Sequence, residues 1–218
     1  MSTVPSQYFW FCSQPFVESS LLLAGRGETI STVTVRDADG AIVNEASIGH
    51  QGLSVFDLAS AVLNVKLESG LRHGTVEVVS SARASMRFFN KSFSRFFEPA
   101  RVIAADCAQF APVTLGKNIE NLVCLLNCSD ADATVRVRLI LAKRNPDTLV
   151  TIPARGTRIM CVEREFSEIT ERAIEEKTTR AYVRVSLRSE LPVLMQAAEV
   201  FNHEGGLGGA GGVQVCPL

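Results

Sequence analysis

Apolar and polar residues that alternate one for one are the feature that most narrows what this chain can fold into. Thr32-Val33-Thr34-Val35-Arg36, Thr134-Val135-Arg136-Val137-Arg138-Leu139 and Tyr182-Val183-Arg184-Val185-Ser186-Leu187 each place apolar or β-branched side chains on one face and polar ones on the other. Successive side chains of a strand point to opposite faces, so this period marks half-buried antiparallel strands. Turn-forming residues separate the runs: Asp39-Gly40, Gly49 to Gly52, Ser69-Gly70, Asn145-Pro146-Asp147 and Ala154-Arg155-Gly156. Short strands at this spacing predict an all-β fold of antiparallel β-sandwiches. Helical period is scarce. Ser167 to Lys177 predicts one helix, capped by Ser167 with Ile169, Ala173 and Ile174 facing inward, and Asp57 to Asn64 a shorter one.

Both helices stand between an early group of strands and a final strand pair, and that shared order points to a repeat. Aligning Leu23 with Leu125 puts Val33 on Val135 and Val35 on Val137. With small loop changes, Ile48 to Gly52 falls on Ile152 to Gly156, Val55 on Ile159, Val76-Glu77-Val78 on Val183-Arg184-Val185, and Met86 on Val193. At 218 residues the chain has room for two domains of about 100. The expectation is two tandem sandwiches of one type, each with a short helix before its final strands: 1–98 with an aromatic and basic linker, then 99–204. Glycine supplies six of the eight residues from Gly205 to Gly212, which predicts a flexible tail over 205–218.

Composition bounds the function. Lysine plus arginine (22) nearly balances aspartate plus glutamate (23), so no global field is available to hold a polyanion, although a local patch is. The stretch before Tyr8-Phe9-Trp10-Phe11-Cys12 has no basic residue, and no apolar run approaches the roughly 20 residues of a membrane-spanning helix. A cytoplasmic protein without a membrane span is expected. The six cysteines show no CxxC pair and are read as buried reduced thiols, with a disulfide between distant strands left open.

Catalytic signals are poor. His50 and His73 fall in predicted turns and His203 precedes the glycine tail, so each is expected to be an exposed histidine without a metal or nucleophile partner. Gly52-Leu53-Ser54 lacks the second glycine of a nucleophile elbow. No catalytic residue, cofactor or metal ligand is assigned.

Ala82 to Phe97 is the most suggestive stretch. Arg83, Arg87, Lys91 and Arg95 recur at four-residue intervals and interleave with Phe88, Phe89, Phe93, Phe96 and Phe97. As a helix it would line up the cations on one face and could lie against an anionic membrane surface or a nucleic acid. The repeat makes its first part, Arg83 to Phe89, a strand. On that reading Phe93, Phe96 and Phe97 pack at an interface and Arg87, Lys91 and Arg95 are solvated at its rim. A second candidate is a loop cluster, Asp130 and Asp132 with Arg155 and Arg158, which could hold a carbohydrate or small anion; plain turn chemistry explains these residues equally well.

Val123-Cys124-Leu125-Leu126-Asn127, Asp130 to Val135, Leu149 to Thr157 and Ser189 to Gln196, in that order, resemble the soluble sensory rhodopsin transducer family of bacterial β-sandwich proteins. The resemblance covers roughly 102–200, and the first half looks like a diverged copy with Gly49-His50-Gln51 in place of the Pro-Ala-Arg turn. It implies a non-enzymatic module that forms homo-oligomers and takes part in signalling, with a protein partner or self-association. The alternative is a structural assembly protein, a shell or surface component built from subunit contacts.

Overall fold

The computed structural model describes residues 4, 6–13, 18–60, 63, 72–89, 94–97, 107–117, 119–187, 193–201, 206–211 and 214–217. The fold is all-β, strands joined antiparallel throughout, with two short helices. The chain divides into two compact units, residues 1–101 and 102–218.

The first unit contains β1 (Ser6–Ser13), β2 (Glu18–Asp37), β3 (Ile42–Asp57), β4 (Arg72–Val79), β5 (Arg83–Phe89) and β6 (Ser94–Phe97). Two of these are not the short strands expected. β2 has 20 residues and β3 has 16, and they pair over Ser20 to Gly25 and Thr29 to Arg36 of β2. With β3 on one edge of β2, the other edge serves two strands in turn: Glu18 to Ala24 pairs β5, and Thr32 to Asp37 pairs β4. Between these halves the β2–β3 register shifts at Gly25/Thr29. The Gly49 to Gly52 signal, predicted as a turn, is this irregularity inside β3, and Gly52 supplies its left-handed φ of 65°. The signal was real, but it bends a hairpin instead of ending a strand. The other predicted turn, at Asp39-Gly40, closes β2 onto β3, with the Gly40 N–H donating to the Asp37 carbonyl at 3.2 Å.

The second unit contains β7 (Cys107–Thr114), β8 (Ile119–Asn127), β9 (Ala133–Ile140), β10 (Asp147–Ile152), β11 (Thr157–Cys161), α1 (Val162–Glu165), α2 (Ser167–Glu175), β12 (Arg180–Leu187), β13 (Val193–Phe201), β14 (Gly206–Gly211) and β15 (Gln214–Pro217). They form two sheets, ordered β10-β9-β12-β7-β15 and β11-β8-β13-β14. Val135, Val137, Leu139 and Val183 of the first sheet and Val123, Leu125 and Met160 of the second enter one core cluster, a sandwich-like arrangement. Glycine does not leave the tail unpaired. β14 lies against Ala197 and Ala198 of β13, and β15 against β7, because ladder hydrogen bonds need no side chains. The tail expected to be a separate flexible segment therefore belongs to the second unit.

The strand orders of the two units correspond. β1-β4-β2-β3 of the first matches β7-β12-β9-β10 of the second, and β6-β5-β2-β3 matches β14-β13-β8-β11. β2 thus does the work of β8 and β9 together, and β3 that of β10 and β11. Ile48 faces Ser31 as Ile152 faces Ala133, and Val55 faces Leu22 as Ile159 faces Cys124, as the alignment expected. The final strands slip. Val76 stands opposite Val35 but Val185 opposite Val137, a shift of two, and Met86 takes the place of Ala197 rather than Val193, a shift of four. Even shifts keep every side chain on its own face, so alternation cannot detect them.

The helix falls where expected but is not capped as expected. Ser167 is its first helical residue, the cap is Phe166, and no side chain bonds the exposed N–H groups. Ala173 and Thr170 are its buried residues, with Ile174 against the core and Ile169 half-buried. It ends at Glu175, and just beyond it Lys177 takes a φ of 58°, with Thr178 N–H donating to the Ala173 carbonyl at 2.8 Å and Lys177 N–H to that of Ile174 at 3.0 Å. The shorter helix predicted at Asp57 to Asn64 is not seen among the described residues: Leu58 to Ser60 and Leu63 lie in turns and bends, and 61–62 and 64 lie outside them.

Candidate functional site

Polar side chains gather at several places in the fold, and the sequence did not point to all of them. The Ala82 to Phe97 stretch is a strand pair, not a helix. Arg87 stands opposite Phe96, Phe88 opposite Arg95 and Met86 opposite Phe97. Four-residue spacing lines up a helix face, but across this hairpin it gives Arg87 and Arg95 register positions of opposite parity. Met86 is fully buried, Arg87 is half-buried and Arg83 exposed. Lys91 and Phe93 lie outside the described residues.

The loop cluster is organised by a residue that the sequence reading passed over. Asn127, at the end of β8, is 1% exposed. Its amide donates to the carbonyls of Ala131 at 2.8 Å and Pro153 at 3.0 Å, and its oxygen accepts from the N–H and hydroxyl of Ser129 at 3.0 and 2.7 Å. This holds the Cys128 to Asp132 loop against the Pro153 to Gly156 turn. Asp132 then accepts from Ala154 N–H at 2.9 Å, and Arg155 Nε donates to Asp130 at 2.8 Å. Arg155 sits at a φ of 56° with its N–H on the Ser129 carbonyl at 2.9 Å. Asp130, Asp132 and Arg155 do meet, but they bind one another's loops. Arg158 lies on β11 and donates to the Thr157 carbonyl at 3.1 Å. Turn chemistry accounts for this cluster.

His50 corrects another expectation. It lies in β3, 8% exposed, with Nε2 at 2.9 Å from the Ser31 hydroxyl, which in turn donates to Ser80 at 2.6 Å. Its Nδ1 is buried with no partner among the described residues. A serine beside a histidine resembles a nucleophile and its base, yet Ser31 is fully buried and no third group among the described residues orients the ring. His73 is likewise in a strand, β4, half-buried rather than in an exposed turn, and His203 lies outside the described residues.

The unanticipated place is the outer face of the β10-β9-β12-β7 sheet. The inward residues of β9, Val135, Val137 and Leu139, are fully buried, which turns Arg136 and Arg138 outward. Register sets Arg138 directly opposite Arg184 on β12, and Arg184 opposite Phe110 on β7. The Arg184 guanidinium lies 5.8 Å from the Phe110 ring centre, within range of a cation–π contact. Asp147 on β10 accepts from Arg138 at 2.7 Å and lies 3.6 Å from Arg136. Two residues before Arg184, Tyr182 is 53% exposed. Arg138 Nε and Arg184 Nε are both buried without a partner among the described residues.

The remaining polar junction, where β11 meets α1, is structural. Glu163 accepts from the N–H and amide of Asn121 at 2.8 and 2.5 Å, and Asn121 returns two bonds to the backbone of Thr114. Cys161 beside it is held above the usual thiol range chiefly by burial, which the backbone hydrogen bond from Arg164 opposes and the nearby carboxylates of Glu163 and Glu120 reinforce. Among the described residues no group of three or more histidine, cysteine, aspartate or glutamate side chains is placed to hold a metal ion. None of the described helices is long and apolar enough to cross a membrane. No protein-family model matches the chain, and no curated protein matches it.

Proposed function

We propose that this protein acts by binding rather than by turnover, as a transducer-like interaction module of two duplicated units that self-associates into a small closed homo-oligomer in the cytoplasm. The observation that carries the reading is β3. It is a strand of 16 residues that, among the described residues, pairs only with β2. Its outward side chains include Val43, Leu53 and Val55, all exposed, and Glu45 is the single charge between its ends. Edge strands are ordinarily shortened or guarded by proline and lysine, because their open backbone groups pair with other chains. The corresponding edge of the second unit has those guards: β10 and β11 are short and Pro153 separates them. A second copy of β3 running antiparallel would pair the open edge and meet no like charge, since a two-fold axis at Gly49 sets Glu45 opposite Leu53.

Two further features support the reading. The polar clusters at Asn127 and Glu163 are occupied by backbone groups of their own unit. Cys12 and Cys161 carry free thiols, as in a reducing compartment.

Size-exclusion chromatography with light scattering on the full chain tests it. A dimer to tetramer that reverts to monomer in Val43→Lys/Leu53→Lys supports the module. A large or open-ended assembly favours the alternative, a shell or surface component. A monomer at all concentrations refutes self-association.

A further inference from the structure

The geometry points to a nucleotide-binding surface on the outer face of the second unit's five-stranded sheet, centred on Arg136, Arg138 and Arg184. This inference does not depend on self-association through β3. It rests on an arrangement that costs stability. Like charges directly opposite each other across two strands repel, and Arg138 and Arg184 are so placed. The fold does not require it. The same three-strand row in the first unit reads Trp10, Thr75, Arg36, with an uncharged threonine where the second unit has Arg184. That row is also closed off, with Trp10 1% and Thr75 4% exposed, whereas Arg136 and Arg138 each keep about a third of their side-chain surface.

The charge arithmetic selects the ligand. Among the described residues three guanidinium groups stand against one carboxylate, Asp147, an excess of two positive charges on this face. A phosphate ester group carries about −1.5 to −2 at neutral pH and matches the planar fork of arginine with paired acceptor oxygens. Arg184 lies 5.8 Å from the Phe110 ring centre, and its buried Nε has no partner among the described residues, which leaves it a donor to satisfy. The exposed ring of Tyr182, next outward on the same strand, offers a stacking platform for a planar base beside the phosphate. Cations and aromatic rings interleaved on a sheet face suit a nucleotide better than an acidic peptide, which has nothing to stack. A free nucleotide and a nucleotide within a single strand share this chemistry.

Calorimetric titration of the full chain at low salt, with adenosine monophosphate, a poly-thymidine oligonucleotide, inorganic phosphate and polyglutamate, tests the inference. Binding of the mononucleotide alone identifies free nucleotide as the source; tighter, salt-sensitive binding of the oligonucleotide identifies a single strand. Arg138→Gln/Arg184→Thr is expected to lose roughly tenfold or more in affinity while its melting temperature stays level or rises, because the repulsion is gone. Should that variant fail to fold, Arg184→Lys keeps the charge, removes the fork and is expected to weaken binding in the same direction. Tyr182→Ala should weaken nucleotide binding and leave phosphate unaffected. The inference is overturned if neither nucleotide binds, if the variants bind like the parent, or if polyglutamate binds as well as the oligonucleotide. Light scattering on the same samples reads self-association separately, so loss of either property is seen apart from the other.

Discussion

The side-chain amide of Asn127 donates to the main-chain carbonyl of Pro153 at 3.0 Å, joining two loops that lie 26 residues apart in sequence. The same side chain serves Ala131 and Ser129 on the near loop. A buried amide used on all sides is costly to remove, because each abandoned partner keeps its desolvation penalty. Asn127→Ala is therefore expected to destabilise the protein by about 2–4 kcal/mol. Urea denaturation of the variant gives the number, and a loss below about 1 kcal/mol would mean that the loops hold without it.

Gly74 makes a second sharp demand. A Cβ built there would lie 1.9 Å from the Arg36 carbonyl oxygen and 2.9 Å from Phe11 Cε1. The oxygen belongs to backbone in the paired strand and cannot swing aside. Gly74→Ala should part β4 from β2 or displace Phe11, at a cost of at least about 2 kcal/mol. Thermal unfolding followed by circular dichroism is the check, and a melting temperature equal to that of the parent would contradict it.

Arg155 works in the opposite sense. It occupies a left-handed conformation that suits glycine, and its ion pair with Asp130 is at the surface, Asp130 being 87% exposed. Arg155→Gly is expected to change stability by no more than about 1 kcal/mol in either direction. If the cluster were instead a ligand site, the same variant would fold normally and lose a ligand found by screening. A clear loss of stability would show that the side chain holds the turn.

Cys12 gives a pH prediction. Burial pushes its thiol from the ordinary 9.0 up to about 12. Between those values the unfolded chain has released this proton and the folded chain has not. The contribution to stability is thus fully present below pH 9 and is lost as pH rises toward 12. Comparing parent and Cys12→Ala across this range isolates it from the other groups that titrate there. The parent should lose stability more steeply with rising pH, and parallel curves would disprove the assignment. Thiol reagents at neutral pH should label Cys12 only after unfolding.

Much of this protein is settled by local pattern. Alternation at Thr32 to Arg36, Thr134 to Leu139 and Tyr182 to Leu187 fixes strands there, because a period of two buries one face only in an extended chain. The same pattern, read twice in one order, announces the repeated strand order. What it cannot supply is register and reach. Shifts of two and four residues leave each face unchanged, so the final strands of the two units are offset without any trace in the alternation. A glycine pair such as Gly49 and Gly52 marks a departure from regular strand, and only the partner strand decides whether the chain turns back or bends and continues. Asn127 ends β8, and its role depends on a loop 26 residues away. Arg138 and Arg184 are each an ordinary outward residue on an alternating strand. Their confrontation exists because β9 and β12 are neighbours in one register, a long-range pairing that no short stretch of sequence encodes.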